Sequence, residues 1–206
     1  MQKLFSPDSA FMRAMSRVGD LLILNFFFLL TSIPIVTIGA GATALYTVCF
    51  RFDTDKEAGI VGSYFRAFRA NWKQATIIWL ILLVCGGSAC LNVFLFYSLS
   101  GVFRYLAVLF ALLLALLLLT AGYTFPLLSR FDNPVMTTLK NAFALSLGYL
   151  LRSVLMMLLN LLPFIVFLTD VYLFFQTAFL WAAVYFSAAA YLNSRLLRPV
   201  LDRYLN

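Results

Sequence analysis

Apolar residues run almost unbroken over 18–50, 75–98, 102–129, 153–168 and 171–192, and a membrane-spanning helix needs about 20 of them. Lipid is the solvent that such runs require. The chain is 64% hydrophobic and 11% charged, against a soluble norm of roughly 45–50% and about 25%, so one aqueous core of this length could not hide the apolar surface. The sequence reads as an all-α integral membrane protein with a single transmembrane domain over 1–206.

The last four runs are each one helix, but the first is too long for that. A continuous helix over 18–50 would reach roughly 50 Å against a hydrocarbon core of about 30 Å. It is also interrupted: Pro34 removes a backbone donor and pushes Ile33 out of the helical region, and Gly39 and Gly41 follow. The basic residues choose between one crossing and two. A single crossing splits the 15 Lys and Arg four to eleven between the two sides, and a double crossing splits them one to fourteen. The excess of cytoplasmic Lys and Arg in membrane proteins favours the second. Six helices follow, about 18–33, 36–50, 75–98, 102–129, 153–168 and 171–192, arranged as three hairpins with both termini cytoplasmic and outer turns at 34–41, 99–101 and 169–170. A re-entrant first hairpin keeps the same sidedness and is the structural alternative. The run before Ala40 and Gly41 is too long for a signal-peptide core, and its basic residues stand too far ahead, so cleavage is not expected.

Each hairpin is preceded by a basic, aromatic lead-in, predicting short interfacial helices at about 8–17, 62–74 and 134–143. Phe11-Met12-Arg13-Ala14-Met15-Ser16-Arg17 is echoed by Tyr64-Phe65-Arg66-Ala67-Phe68-Arg69-Ala70, and more faintly around Leu139-Lys140-Asn141-Ala142-Phe143. In the middle one, Phe65, Phe68 and Trp72 fall at i, i+3, i+7, with Arg66, Arg69 and Lys73 one residue on. A helix there has an apolar stripe beside a cationic one, as expected of a segment lying on the anionic inner leaflet.

The chemistry-bearing residues are few. The chain has no histidine, which removes the commonest general base, metal ligand and partner of a nucleophile. No phosphate-binding glycine loop or dinucleotide fingerprint occurs. Cys49, Cys85 and Cys90 have no metal-ligand spacing and read as small hydrophobes. The net charge of +7 is spread between apolar runs and not gathered in a patch, so nucleic acid is not the expected partner. No ionisable residue is placed securely at mid-bilayer: Asp20 sits one turn after Arg17, Arg152 opens the fifth helix and Asp170 lies in an outer turn. That pattern fits neither a proton-driven pump nor a voltage sensor. No enzyme activity and no cofactor are expected.

Neutral polar residues remain within the runs: Asn25, Thr31 and Ser32, then Asn92, Thr120 and Thr124, Asn160, and Gln176 with Thr177. They serve either as interhelical hydrogen bonds or as the lining of a polar substrate cavity. Pro34, Gly39 and Gly41 form the first hairpin turn, and the small-residue spacings around Gly39 and Ala40 suit close helix packing.

Asn25 with Thr31-Ser32-Ile33-Pro34-Ile35-Val36-Thr37-Ile38-Gly39-Ala40 and Ala44-Leu45-Tyr46, and then Tyr64 through Ala75, resemble segments of the YesL-like family of small bacterial membrane proteins of unknown function. Phe125-Pro126-Leu127-Leu128-Ser129-Arg130-Phe131-Asp132-Asn133 with Leu139 to Phe143 extends the likeness over about three quarters of the chain. The resemblance implies a bacterial plasma-membrane location and a genomic setting beside carbohydrate ABC transporters and polysaccharide-degrading enzymes. It implies no site residue and no mechanism.

Two functional expectations follow. One is a non-enzymatic accessory component of carbohydrate uptake, docking to ABC transporter subunits. The other is a small-solute transporter or a membrane-embedded capture subunit of an importer. In the second case the polar side chains should converge on one cavity open to the outer face. In the first they should be paired across helix contacts.

Overall fold

A computed structural model describes residues 10–52, 59–99 and 101–204, without the side chains of residues 10, 11, 13, 14 and 204. Within the described residues the secondary structure is helical throughout, and several helices are apolar and long enough to span a membrane. They are α1 (Ala10–Ser32), α3 (Ile60–Tyr97), α4 (Arg104–Leu128) and α6 (Leu150–Thr169). Shorter elements are α2 (Ile38–Arg51), α5 (Val135–Gly148), α7 (Val171–Gln176) and the single turn α8 (Ala178–Leu180). A widened π turn (Trp181–Tyr185) then leads into α9 (Phe186–Leu201). The outer faces of these helices carry exposed Val84, Phe94, Leu109, Leu112, Leu151 and Phe164. Such a surface belongs in hydrocarbon and not in water.

The first turn forms where Pro34 was expected to break the chain. Pro34 is extended (φ −74°, ψ 111°), and one tight turn, Ile35–Thr37, leads into α2. The carbonyls left over at the end of α1 have to find donors. Thr37 supplies one, its Oγ1 lying 2.6 Å from the Thr31 carbonyl and 2.8 Å from that of Pro34. Trp79 on α3 donates its indole N–H to the Ile35 carbonyl at 2.8 Å. Between α3 and α4 the chain reverses through Gly101 at φ +75°, a backbone state that costs glycine no side-chain clash. At the 169–170 break Asp170 caps α7, its carboxylate accepting the Leu173 N–H at 3.0 Å.

α2 is the enclosed centre of the bundle. Ten of its fourteen residues are buried, because α1, α3, α4 and α9 all pack against it. Small residues permit this. A Cβ built on Gly39 would stand 2.5 Å from the Ala75 carbonyl oxygen and 2.7 Å from the Trp79 Cβ, so only glycine lets α2 and α3 approach here. A Cβ built on Gly41 would stand 3.1–3.3 Å from Thr31 Oγ1, Phe28 and the Tyr64 hydroxyl.

The element boundaries differ from the sequence reading in four places. The expected interfacial helix at 62–74 is not separate: it runs without a break into the span at 75–98, making α3 38 residues, or about 57 Å at 1.5 Å per residue. No proline lies between 60 and 97, and Gly62, Gly86 and Gly87 have open space at their Cβ positions. The lead-in at 8–17 likewise continues into the first span as α1, residues 8 and 9 lying outside the described set. The helix expected at 36–50 starts at Ile38, after the tight turn. The helix expected at 171–192 is broken at Thr177, widened at Trp181–Tyr185 and extended to Leu201. The segment expected at 134–143 is a helix of its own, α5, separated from α6 by Tyr149 at φ −126°, ψ 50°.

Candidate functional site

The polar side chains singled out within the apolar runs are mostly committed to the protein itself. Asn25, fully buried on α1, reaches the π turn. Its amide nitrogen donates to the Ala182 carbonyl at 2.6 Å, and its oxygen accepts the Ser187 N–H at 3.0 Å. A π turn pairs groups five residues apart, and Asn25 stands between one such pair. Ser187 returns the contact, donating its hydroxyl to the Leu21 carbonyl at 2.7 Å. Thr31 on α1 lies 2.7 Å from the hydroxyl of the fully buried Tyr64 on α3.

On α6, Asn160 accepts a hydrogen bond at 2.9 Å from Asn193 of α9, whose amide also donates to the Tyr46 hydroxyl of α2 at 3.2 Å. The remaining residues do not join these clusters. Thr124 and Asn92 donate to carbonyls four residues back on their own helices, and Thr120 does the same. The Ser32 hydroxyl is buried without a partner in the described residues. Gln176 is exposed at the end of α7.

Two in-helix prolines explain further contacts. Pro163 has no N–H to give the Leu159 carbonyl, and the Tyr185 hydroxyl donates to that same carbonyl from across the helix interface. Pro126 leaves the Gly122 carbonyl without its helical donor in the same way. Tyr185 and Gly122 both line a cavity of about 370 Å³ bounded by α1, α2, α3, α4, α6 and the π turn with α9. Phe28, Leu45, Trp79, Phe125, Met157 and Phe186 make most of its wall. Asn160, Tyr46 and Tyr185 supply the polar groups, and no charged side chain lines it.

One end of the bundle is organised by arginines around the C-terminus of α2. Arg17 donates to the Phe52 carbonyl at 2.7 Å and lies over the Phe52 ring, 4.6 Å from its centroid. Arg198 donates to the Phe50 carbonyl at 2.6 Å. Arg130 lies 4.5 Å from the Phe50 ring centroid and pairs with Asp202 at 2.7 Å. The last carbonyls of a helix carry partial negative charge, so cations gather there. Basic residues that mark sidedness in the sequence are thus also structural. On the first turns of α3, Phe65 and Phe68 pack towards the core, Phe65 edge-on to Phe27 at 5.2 Å. Arg66, Arg69, Trp72 and Lys73 are exposed beside them.

Sequence reasoning missed Asn193, Ser187, Tyr46 and Trp79. Asn193 lies one residue past the expected end of the last helix, and Tyr46 and Trp79 look like ordinary membrane aromatics. A signal was present for Tyr185, since a proline within a helix always leaves a carbonyl four residues back in need of a donor. Among the described residues no group of three His, Cys, Asp or Glu side chains is positioned to hold a metal ion.

A family described as "Protein of unknown function, DUF624" matches residues 21–93, from the middle of α1 to near the end of α3. No curated protein and no solved structure matches the chain.

Proposed function

We propose that this chain is a non-enzymatic accessory protein of the bacterial plasma membrane, linked to carbohydrate uptake and docking to ABC transporter subunits. The observation that carries the reading is how the buried polar side chains are used. Asn25, Thr31, Asn160 and Asn193 bind across helix contacts, Thr120, Thr124 and Asn92 bind within their helices, and the cavity is walled mainly by hydrocarbon. A sugar presents a hydroxyl on nearly every carbon, and a wall with three polar side chains leaves most of them unpaired at a cost. This argues against a capture or transport subunit for polar solutes. The carbohydrate setting rests on the YesL-like resemblance. The match to a family of unknown function at 21–93 is consistent with that resemblance alone, since it covers Asn25, 31–40, 44–46 and 64–75.

In this reading the chain crosses six times as three hairpins, with both termini and the arginine-rich end in the cytoplasm. The cations Arg66, Arg69 and Lys73 then face either the anionic leaflet or a transporter subunit. The test is purification of the tagged chain from its native membrane. Subunits of a carbohydrate ABC transporter should co-purify in fixed ratio, and Arg66→Glu with Arg69→Glu should release them. Reconstituted protein that moves an oligosaccharide into vesicles by itself would overturn the proposal.

A further inference from the structure

The cavity has features that helix packing alone does not require. At about 370 Å³ it falls in the ~300–1,000 Å³ range of small-molecule sites. Its wall is hydrocarbon and aromatic, with no charged group. Asn160 is exposed although it lies in the middle of a spanning helix, so the cavity reaches the molecular surface beside α6. Phe164 and Phe167, four and seven residues on along the same face of α6, are exposed, so the mouth opens into the hydrocarbon of the bilayer and not into water. At that mouth the oxygen of the Asn160 amide is taken by Asn193, and its nitrogen has no partner in the described residues. Gly122 on α4 also lines the cavity, and its carbonyl lacks the helical donor that Pro126 cannot provide. Asn193 is fully buried, and its own amide oxygen has no partner. It adjoins the cavity through Asn160 and Tyr46.

From this geometry we infer that the cavity binds the hydrocarbon chain of a bilayer amphiphile, with an uncharged hydroxyl or ester group held at Asn160. The chain fills the wall of Phe28, Leu45, Trp79, Phe125 and Phe186. The polar group accepts from the free Asn160 N–H. A charged headgroup is disfavoured inside, since nothing there would offset its desolvation.

Trp79 reports on this site. In a Trp72→Phe, Trp181→Phe background, the chain in nanodiscs is titrated with monooleoylglycerol brominated across its double bond, and Trp79 fluorescence is read. Quenching should saturate at low mole fraction. Ala121→Leu and Ala189→Leu fill the cavity from different helices and should each weaken the saturable phase by at least about tenfold. Asn160→Leu should abolish the preference for the monoacylglycerol over a brominated alkane of equal length while leaving the alkane's quenching intact. Each variant is first checked for unchanged helicity and monodispersity, and the two cavity-filling variants back each other where one fails to assemble. Quenching that rises linearly with mole fraction, equally in the parent and in both filled variants, would mean contact with bulk lipid only and would overturn the inference.

Discussion

Asn25 and Ser187 are 162 residues apart in the chain, yet the amide oxygen of one accepts the backbone N–H of the other at 3.0 Å. The same Asn25 amide donates to Ala182, so a side chain of the first helix completes the widened turn of the last. Such a turn keeps its shape only while the groups it misaligns have partners, because an unpaired amide in a hydrophobic interior is costly.

Replacing Asn25 by Leu should therefore cost more than the loss of an ordinary interhelical bond. Two backbone groups lose their partner together, each at about 1–3 kcal/mol when left buried, whereas single polar contacts in membrane proteins average about 0.6 kcal/mol. Thermal unfolding in detergent should place Asn25→Leu well below Thr31→Val, which removes one side-chain contact to Tyr64. Equal midpoints would mean that the π turn closes without Asn25.

Glycine at 39 should be less replaceable than at 41. An added methyl at Gly39 strikes the Ala75 carbonyl and the Trp79 Cβ at 2.5 and 2.7 Å, and backbone cannot step aside. At Gly41 the nearest atom is the Thr31 hydroxyl oxygen at 3.1 Å, which a small rotation relieves. Gly39→Ala should lose about 1–3 kcal/mol or more through overpacking, and Gly41→Ala clearly less. The comparison is read from the yield of monodisperse protein and its unfolding midpoint.

At the arginine-rich end, Arg130→Leu should destabilise more than Asp202→Asn. The Asp202 carboxylate is half exposed, with 49% of its side chain accessible, and exposed ion pairs are worth about 0–1 kcal/mol. Arg130 also stacks on Phe50 at 4.5 Å, a contact worth about 0.5–2 kcal/mol in its own right. Raising the salt concentration should erase the effect of Asp202→Asn and leave most of that of Arg130→Leu.

Sidedness is open to direct labelling. In a background with Cys49, Cys85 and Cys90 replaced, single cysteines at Gly101 and Asp170 should react with a membrane-impermeant thiol reagent in intact cells. One at Arg203 should react only after lysis. An Arg203 site accessible from outside would reverse the assigned orientation, and a protected Gly101 site would remove the second hairpin.

The spans were legible because hydrocarbon imposes a length, and no other force leaves so plain a mark on a sequence. Pro34 was legible as a break for the same local reason that it acts as one: it has no N–H. The joining of 62–74 to the following span was not, since amphipathic spacing at Phe65, Phe68 and Trp72 describes a helix without saying where it ends. Only the absence of a breaker before Tyr97 carries that information. The extension of α9 was hidden by its polar residues. Asn193, Ser194 and Leu197 face the bundle while Arg195 and Leu192 face out, a helical period that a search for continuous apolarity discards. The partner of each buried amide could not be read at all, because the pairings join α1 to α9, and α6 to α9 and α2, and one-dimensional spacing says nothing about which helices meet.

The enclosure of α2 bears on the order in which the chain can assemble. Its 14 residues span about 21 Å, short of the hydrocarbon thickness, and two of its polar groups find partners in α9: the Tyr46 hydroxyl in Asn193 and the Phe50 carbonyl in Arg198, 147 and 148 residues later. Asn25 waits longer still, 162 residues, for Ser187. While the chain is being made, these groups of α1 and α2 therefore lack the partners that the finished bundle gives them until the last helix arrives. A polypeptide cut short before α9 keeps most of its spans and loses the element that completes its centre, so full-length synthesis is the step on which a stable bundle depends.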